Sequence, residues 1–311
     1  MDNETPSSGG GATDPASQPD AATPAPIEQV TWTGTPASQA TDALPPGVPP
    51  APYAHLPADL RVPWTWLDLL IFFFFAVGGL FVMSQVFFFV VAIVVGIPRN
   101  AQGQPDIPAT WLLILQTLWY SALLLYLYLL VRLRFAAAFW KTSGFRDFRL
   151  GGMNRPMSYV VLTGAGMITA MVIAMLGGLL KPPGEIPIER LFQQRQSALM
   201  VLLAAVIVAP LVEELLFRGW LYPVVARTFG VAAGVAFTGS LFGLIHAPQL
   251  GWHWQLVGLL VFVGVFFTYV RARSGSVLPA YFLHLGYNAM QAIAFIIGTS
   301  GLRNLPPASG P

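Results

Sequence analysis

The sequence has no cysteine. Disulfides, thiolate metal sites and thiol catalysis are therefore excluded, and histidines and carboxylates must supply any metal ligands. Charge is also scarce: 10% of the 311 residues are Asp, Glu, Lys or Arg, against about 25% in a soluble globular domain. Histidine occurs four times. A shortage of polar groups on this scale excludes an ordinary soluble fold and points to a chain whose main partner is the lipid bilayer. The formal net charge is +2, and the basic residues fall in short segments between apolar runs. That pattern reports topology rather than a nucleic-acid surface, so no nucleic-acid partner is expected. The N-terminus is polar and the first apolar run starts beyond residue 60, so no cleavable signal peptide is expected.

Hydrophobic residues make up 55% of the chain. Residues 1–62 stand apart, with twelve prolines among Ala, Thr, Ser and Gly. Such a tail cannot bury enough apolar surface to offset its ordering entropy and is expected to be disordered. Seven apolar runs follow, at Trp66–Ile97, Trp111–Leu130, Tyr159–Leu180, Ala198–Arg227, Val231–His246, Trp254–Val270 and Val277–Ile297. The expected fold is an all-α polytopic membrane helix bundle of seven spans, or eight if the long first run divides. Residues 63–197 carry the first three spans, 198–298 the remaining four, and 299–311 a short C-terminal tail. Asp68 lies near a span end, where it can reach water. The segment 132–155 holds six basic residues against Asp147. Placing it in the cytoplasm puts eleven of the sixteen Lys and Arg there together with the N-terminal tail, the favoured orientation for a multi-pass cell-membrane protein.

The fourth run is the anomaly. Thirteen of the fifteen residues from Leu199 to Glu213 are aliphatic, yet the run closes on Glu213, Glu214 and, four residues later, Arg218. Each such charge costs roughly 2.5–3.5 kcal/mol at a membrane helix centre on insertion scales. Glu214 and Arg218, at i,i+4, can pair along one helix face. Glu213 points about 100° away and is free for another partner. Taking Gly230 as a turn places Glu213 and His246 at the same depth, roughly 25 Å along the helices from it. His284, measured from a turn near Ser274, stands roughly 15 Å deep, with Asn288 one turn further. Unequal projection of the helices would bring all four into one layer. Phe242, one turn before His246, can shield them. Gly239 and Gly243 allow another helix to come close. Pro210 is expected to free the Val206 carbonyl and bend the span just before Glu213. His55 and His253 read as solvated residues, Gln85 and Gln116 as packing or pore-lining groups.

These residues support hydrolysis. A carboxylate in a low-dielectric pocket becomes a stronger base, and Glu213, His246 and His284 also form a three-ligand zinc set with an open position for water. Whether a metal takes part stays open at this level. Glu-Glu-x-x-x-Arg on one span, Phe-x-x-x-His on the next and His-x-x-x-Asn on a later one together resemble the CPBP intramembrane metalloproteases, the CAAX prenyl endopeptidase or Abi group. The resemblance covers about residues 198–297. It implies cleavage of a peptide bond in a membrane-associated protein or peptide by an activated water, with Glu213 as general base and His246 holding or polarising the water. It further implies that His284 and Asn288 stabilise the oxyanion and that Glu214 and Arg218 support the site. No His-Glu-x-x-His pair occurs, no Gly-x-Ser-x-Gly lies in a span, and Asp68 is the only span aspartate, so zincin, serine and aspartyl mechanisms fit less well. A proton- or cation-coupled transporter using the same carboxylates and histidines is the competing class, although no internal repeat supports it. A non-proteolytic scaffold of the same fold is the third.

Overall fold

The computed structural model describes Tyr53, residues 55–99, Gly103, residues 105–180 and residues 191–305. The disorder expected of the tail falls on residues 1–52 and Ala54, outside the described residues. The final part of that expected tail is folded. Ala58–Leu60 forms a 3₁₀ turn, and Leu60 and Val62 are buried.

Among the described residues six helices are long and apolar enough to cross a membrane: α1 (Trp66–Val94), α2 (Ala109–Arg134), α4 (Arg155–Leu180), α5 (Arg195–Phe229), α7 (Trp254–Ser274) and α8 (Val277–Gly298). Two shorter helices complete the set: α3 (Phe139–Thr142) lies in the basic segment, and apolar α6 (Val231–Ile245) is the seventh expected span. The first apolar run is one helix, so the eight-span alternative does not arise. No strand occurs among the described residues; an isolated bridge joins Arg99 to Pro105. The chain is a multi-pass, all-α membrane protein.

Helix starts follow local chemistry. Asp68 closes the start of α1, accepting from the Thr65 backbone N–H at 2.7 Å and from the Thr65 hydroxyl at 3.0 Å, the half of a capping box in which the third helical residue answers the N-cap N–H. Asp68 does not reach water as expected. It is buried and takes Arg134 at 3.1 Å, because an acidic residue fixed in the first turn of one helix meets a basic one at the end of another. Ahead of α1 the chain forms a strap along α5. Trp64 stacks on Trp220 with centroids 4.2 Å apart and donates from Nε1 to the Trp220 carbonyl at 2.9 Å. Arg227 donates to the carbonyls of Val62 and Trp64.

Glycine sets the closest helix contacts. A Cβ on Gly286 of α8 would collide with the Thr163 carbonyl of α4, and one on Gly166 with the Leu283 carbonyl. On α6, Gly239 and Gly243 meet the α7 backbone at Val265 and Val261 in the same way, as expected for small residues packed without a hydrophobic drive in lipid. Helix α5 is continuous from Arg195 to Phe229, but it winds more widely over Ala204–Val208 and Leu215–Leu221, with π-type i→i−5 bonding. A proline follows each wide turn, Pro210 and Pro223.

Gly286→Val is expected to force α4 and α8 apart and lower the thermal midpoint, at a cost of about 1–3 kcal/mol or more. Gly164→Val, where nothing lies within 4 Å, is expected to leave it unchanged. Thermal unfolding in detergent measures both.

Candidate active site

Arg218 is fully buried, and each of its nitrogens has a partner. Nη1 donates to Glu214 Oε1 at 3.0 Å, Nε to Thr268 Oγ1 at 3.1 Å and Nη2 to the Gly264 carbonyl at 2.9 Å. Phe242 covers the guanidinium, its ring centroid 4.4 Å from Cζ. A buried cation is tolerable only when paired and hydrogen-bonded throughout, and these contacts tie α5 to α6 and α7.

Glu214 passes the arrangement on to α8. The oxygen that takes Arg218 also lies 2.9 Å from His284 Nδ1. The opposite nitrogen of that ring, Nε2, stands 3.7 Å from Glu213 Oε2. From the other side, His246 Nε2 stands 4.0 Å from Glu213 Oε1. His246 Nδ1 is 2.7 Å from the Phe242 carbonyl. A carbonyl only accepts, so Nδ1 carries the hydrogen and neutral His246 offers the Nε2 lone pair toward Glu213. The Phe242 ring packs on both imidazoles, with centroids 4.9 Å from His246 and 5.6 Å from His284. Exposure divides the cluster. The Glu214 and Arg218 side chains are 0% exposed, those of Glu213 and His246 13% and 16%. One pair is sealed and the other is within reach of a substrate.

Glu213, His246 and His284 thus meet in one layer, although their depths counted from the two turns differ. The 10 Å disagreement between those depths is absorbed by the Gly275 turn. Arg271, near the end of α7, donates to the Arg218 carbonyl at 3.3 Å, so the α7–α8 turn lies deeper than the α5–α6 turn at Gly230. Asn288 has a different neighbour. Its Nδ2 donates to the Ala205 carbonyl at 2.7 Å. The carbonyl caught near Pro210 is thus Ala205 rather than the expected Val206, because the helix is wound with i→i−5 bonds there.

A zinc ion was tested against the donor set. Both Nδ1 atoms face acceptors, which leaves both Nε2 atoms for a ligand. Tetrahedral zinc holds its nitrogen and oxygen ligands about 3.3–3.6 Å apart, given bond lengths near 2.0–2.2 Å. Separations of 3.7 and 4.0 Å are wider, and among the described residues no three ligand-type side chains are grouped to hold a metal. A water bonded to both partners at about 2.8 Å spans roughly 4.5 Å. Both separations fall between the zinc width and the water width.

Tyr120 of α2 was not legible as a site residue. Its hydroxyl donates to Glu213 Oε1 at 3.2 Å and also meets the Gln116 side chain. The i,i+4 spacing of Gln116 and Tyr120 within an apolar span was the available signal. Thr268 and Arg271 of α7 were missed too, since neither forms a motif with residues near it in sequence. His55 is exposed and His253 precedes α7; neither joins the site.

Residues 195–290 match the family model for type II CAAX prenyl endopeptidases, Rce1-like. The segment carries an Rce1-like domain. It opens at the first residue of α5 and closes within α8, so it holds Glu213, Glu214, Arg218, Phe242, His246, His284 and Asn288. The Rce1-like domain covers about a third of the chain and excludes Tyr120. It supports intramembrane endopeptidase activity in general. No curated protein and no solved structure matches the chain.

Tyr120→Phe removes one hydrogen bond to Glu213 without changing shape. It is expected to lower kcat by about 10-fold, the scale of one charge-assisted bond of roughly 1.5 kcal/mol, with KM and thermal midpoint unchanged. Steady-state cleavage of a membrane peptide by the purified variant checks this.

Proposed function

We propose that the chain is an intramembrane endopeptidase that hydrolyses a peptide bond of a membrane-associated protein or peptide, with Glu213 as general base. The convergence of His246 and His284 on the two oxygens of Glu213, 4.0 and 3.7 Å away, carries this reading. A water held between Glu213 Oε1 and His246 Nε2 has both hydrogens engaged and a lone pair free for the scissile carbonyl carbon. Glu213 takes one proton as the water oxygen forms its bond to that carbon, and the carbonyl π electrons move onto oxygen.

The resulting oxyanion needs a donor. His284 is held at Nδ1 by Glu214, so a proton on Nε2 points into the same space. Collapse of the intermediate breaks the C–N bond, whose electron pair goes to nitrogen. Glu213 returns its proton to the departing amine and is a carboxylate again. Glu214 and Arg218 act on His284 from behind and do not exchange protons with the substrate. No step here is routed through zinc. The distribution of Lys and Arg favours a cytoplasmic N-terminus in a cell membrane.

Glu213→Ala and His246→Ala are expected to abolish cleavage while leaving the protein folded and inserted. Comparative proteomics of membranes carrying wild type or Glu213→Ala identifies the uncleaved substrate. Full activity of either purified variant sinks the mechanism, as does proton-coupled uptake in liposomes that the same substitutions remove. Metal analysis of active protein is expected to find less than stoichiometric zinc and no loss of rate on chelation. Zinc bound at one per chain and lost in His284→Ala would restore the three-ligand alternative.

A further inference from the structure

Helix α1 parts from the rest of the protein halfway along its length. Its buried residues, Asp68 and Leu69, lie in the first turn. Phe72 and Phe75 then pack on Tyr126 and Trp119 of α2, and Gly79 lets the Trp119 ring come close. Beyond Gly79, Ser84 donates to the Phe81 carbonyl of its own helix and Phe87 meets Phe88. Among the described residues, nothing from Leu80 to Val94 bonds to or stacks on another element. Gln85 lies in that half, exposed and with its amide unpartnered, so the packing or pore-lining role expected of it is not met within one chain. Helix α1 has 29 residues, about 44 Å at 1.5 Å per residue, against about 30 Å of hydrocarbon. Trp66 marks one interface, where its Nε1 donates to Thr228 Oγ1 at 3.0 Å. An upright helix would carry the apolar residues 86–94 out into water. A tilt of about 45° would keep them in, beyond the usual range of roughly 0–40°, and would hold the Gln85 amide in hydrocarbon without a partner. Lipid alone resolves neither case.

The outer face of α1 has an order of its own. Phe74, Gly78, Phe81, Gln85, Phe88 and Ala92 recur at alternating steps of four and three, the spacing of a coiled-coil seam. The row lies about 130° around the axis from Phe72, Phe75 and Gly79, the residues on the α2 side. Phe88 is half-buried and the others are exposed. Alternate positions differ in kind: one set is phenylalanine throughout, the other is Gly78, Gln85 and Ala92. A Cβ on Gly78 would meet nothing within 4 Å, so the hollow beside each ring is open to a knob from outside. We propose that this row is a dimer seam, and that a second copy of the chain covers it. Two copies inserted in the same direction about a two-fold axis along the membrane normal place α1 parallel to its partner, like position against like. A carboxamide both donates and accepts, so two Gln85 side chains answer one another. A single polar residue at such a position also fixes register and strand number. A substrate does not suit this face. Glu213 is met from α2, through the Tyr120 hydroxyl at 3.2 Å, so both α1 and α2 stand between the row and the catalytic cluster. The inference is independent of the endopeptidase reading.

The chain has no cysteine of its own, so single introduced thiols report contacts without background. In full-length protein in membranes, Gly78→Cys and Ala92→Cys, both on the row, are expected to give a disulfide-linked homodimer on mild oxidation. Val90→Cys, exposed but on the other side of the helix, is expected to give on the order of 10-fold less. The second measurement is energy transfer between labelled copies in liposomes at varied protein-to-lipid ratio. Gln85→Leu keeps the length of the side chain and removes the amide. It is expected to raise the dissociation constant about 10-fold, the scale of one interhelical amide bond, and to leave the thermal midpoint of the dilute protein unchanged. Wild type that stays monomeric at every ratio overturns the proposal. Equal trapping at all three positions overturns it as well, since collision or another face would then explain the dimer. So does trapping only to a different protein, or a Gln85→Leu dimer as tight as wild type. Neither measurement reads cleavage, so a protein without proteolysis would remove the endopeptidase reading and leave the seam to stand or fall on these results.

Discussion

A guanidinium sealed from water must have its hydrogens answered from inside the protein, and most of this structure follows from how Arg218 meets that requirement. Its partners come from different helices: Glu214 from α5, Thr268 and the Gly264 carbonyl from α7, and the Phe242 ring from α6. Glu214 then uses the same oxygen to take His284 of α8. Four helices are thereby fixed around one cation, and the orientation of the His284 ring is a consequence. Breaking a buried pair of this kind leaves an uncompensated charge, with losses of about 3–5 kcal/mol in comparable cases. The pair gives position more than stability, and Glu213 and His246, both partly accessible, do their work against that fixed frame.

The helices were readable from apolar length, and the expected spans differ from the observed ones by a few residues at their ends. The cluster was readable because two independent measures agreed. Glu213 and His246 stand within one residue of the same distance from Gly230, and Glu214 stands four residues before Arg218. Less legible were features that depend on an altered helical period. Sequence spacing assumes about 100° per residue, so the wide turns before Pro210 and Pro223 were invisible and the freed carbonyl was misassigned by one position. Tyr120 and Arg271 escaped for a different reason. Each contacts the site from a helix that carries none of the three motifs, and only tertiary packing brings it there. Asp68 was read as solvated because it stands at a span end. Its burial depends on Arg134, sixty-six positions away in sequence.

The strap before α1 shows how residues outside the Rce1-like domain support it. Asp59 pairs with Arg271 at 2.9 Å, and Arg271 donates to the Arg218 carbonyl. The segment between the Pro-rich stretch and the first span is therefore linked, through one arginine, to the backbone of the catalytic-motif helix. Trp64 on Trp220 adds an apolar anchor two residues further along α5. A truncation ending near residue 62 would remove this brace as well as the low-complexity sequence ahead of it.

Helix α6 has fifteen residues, about 22 Å at 1.5 Å per residue, while the hydrocarbon layer is about 30 Å thick. It stops short, and His246 is the first residue past its end. Peptide groups released from a helix inside that layer must border protein or an aqueous notch, because lipid offers them no hydrogen bonds. The turn over residues 246–253 follows this short helix directly, next to the histidine. Hydrolysis consumes water and yields a new ammonium and a new carboxylate, neither of which partitions into acyl chains. A span cut short by a few residues gives both the incoming solvent and the newly charged termini a route that does not cross lipid.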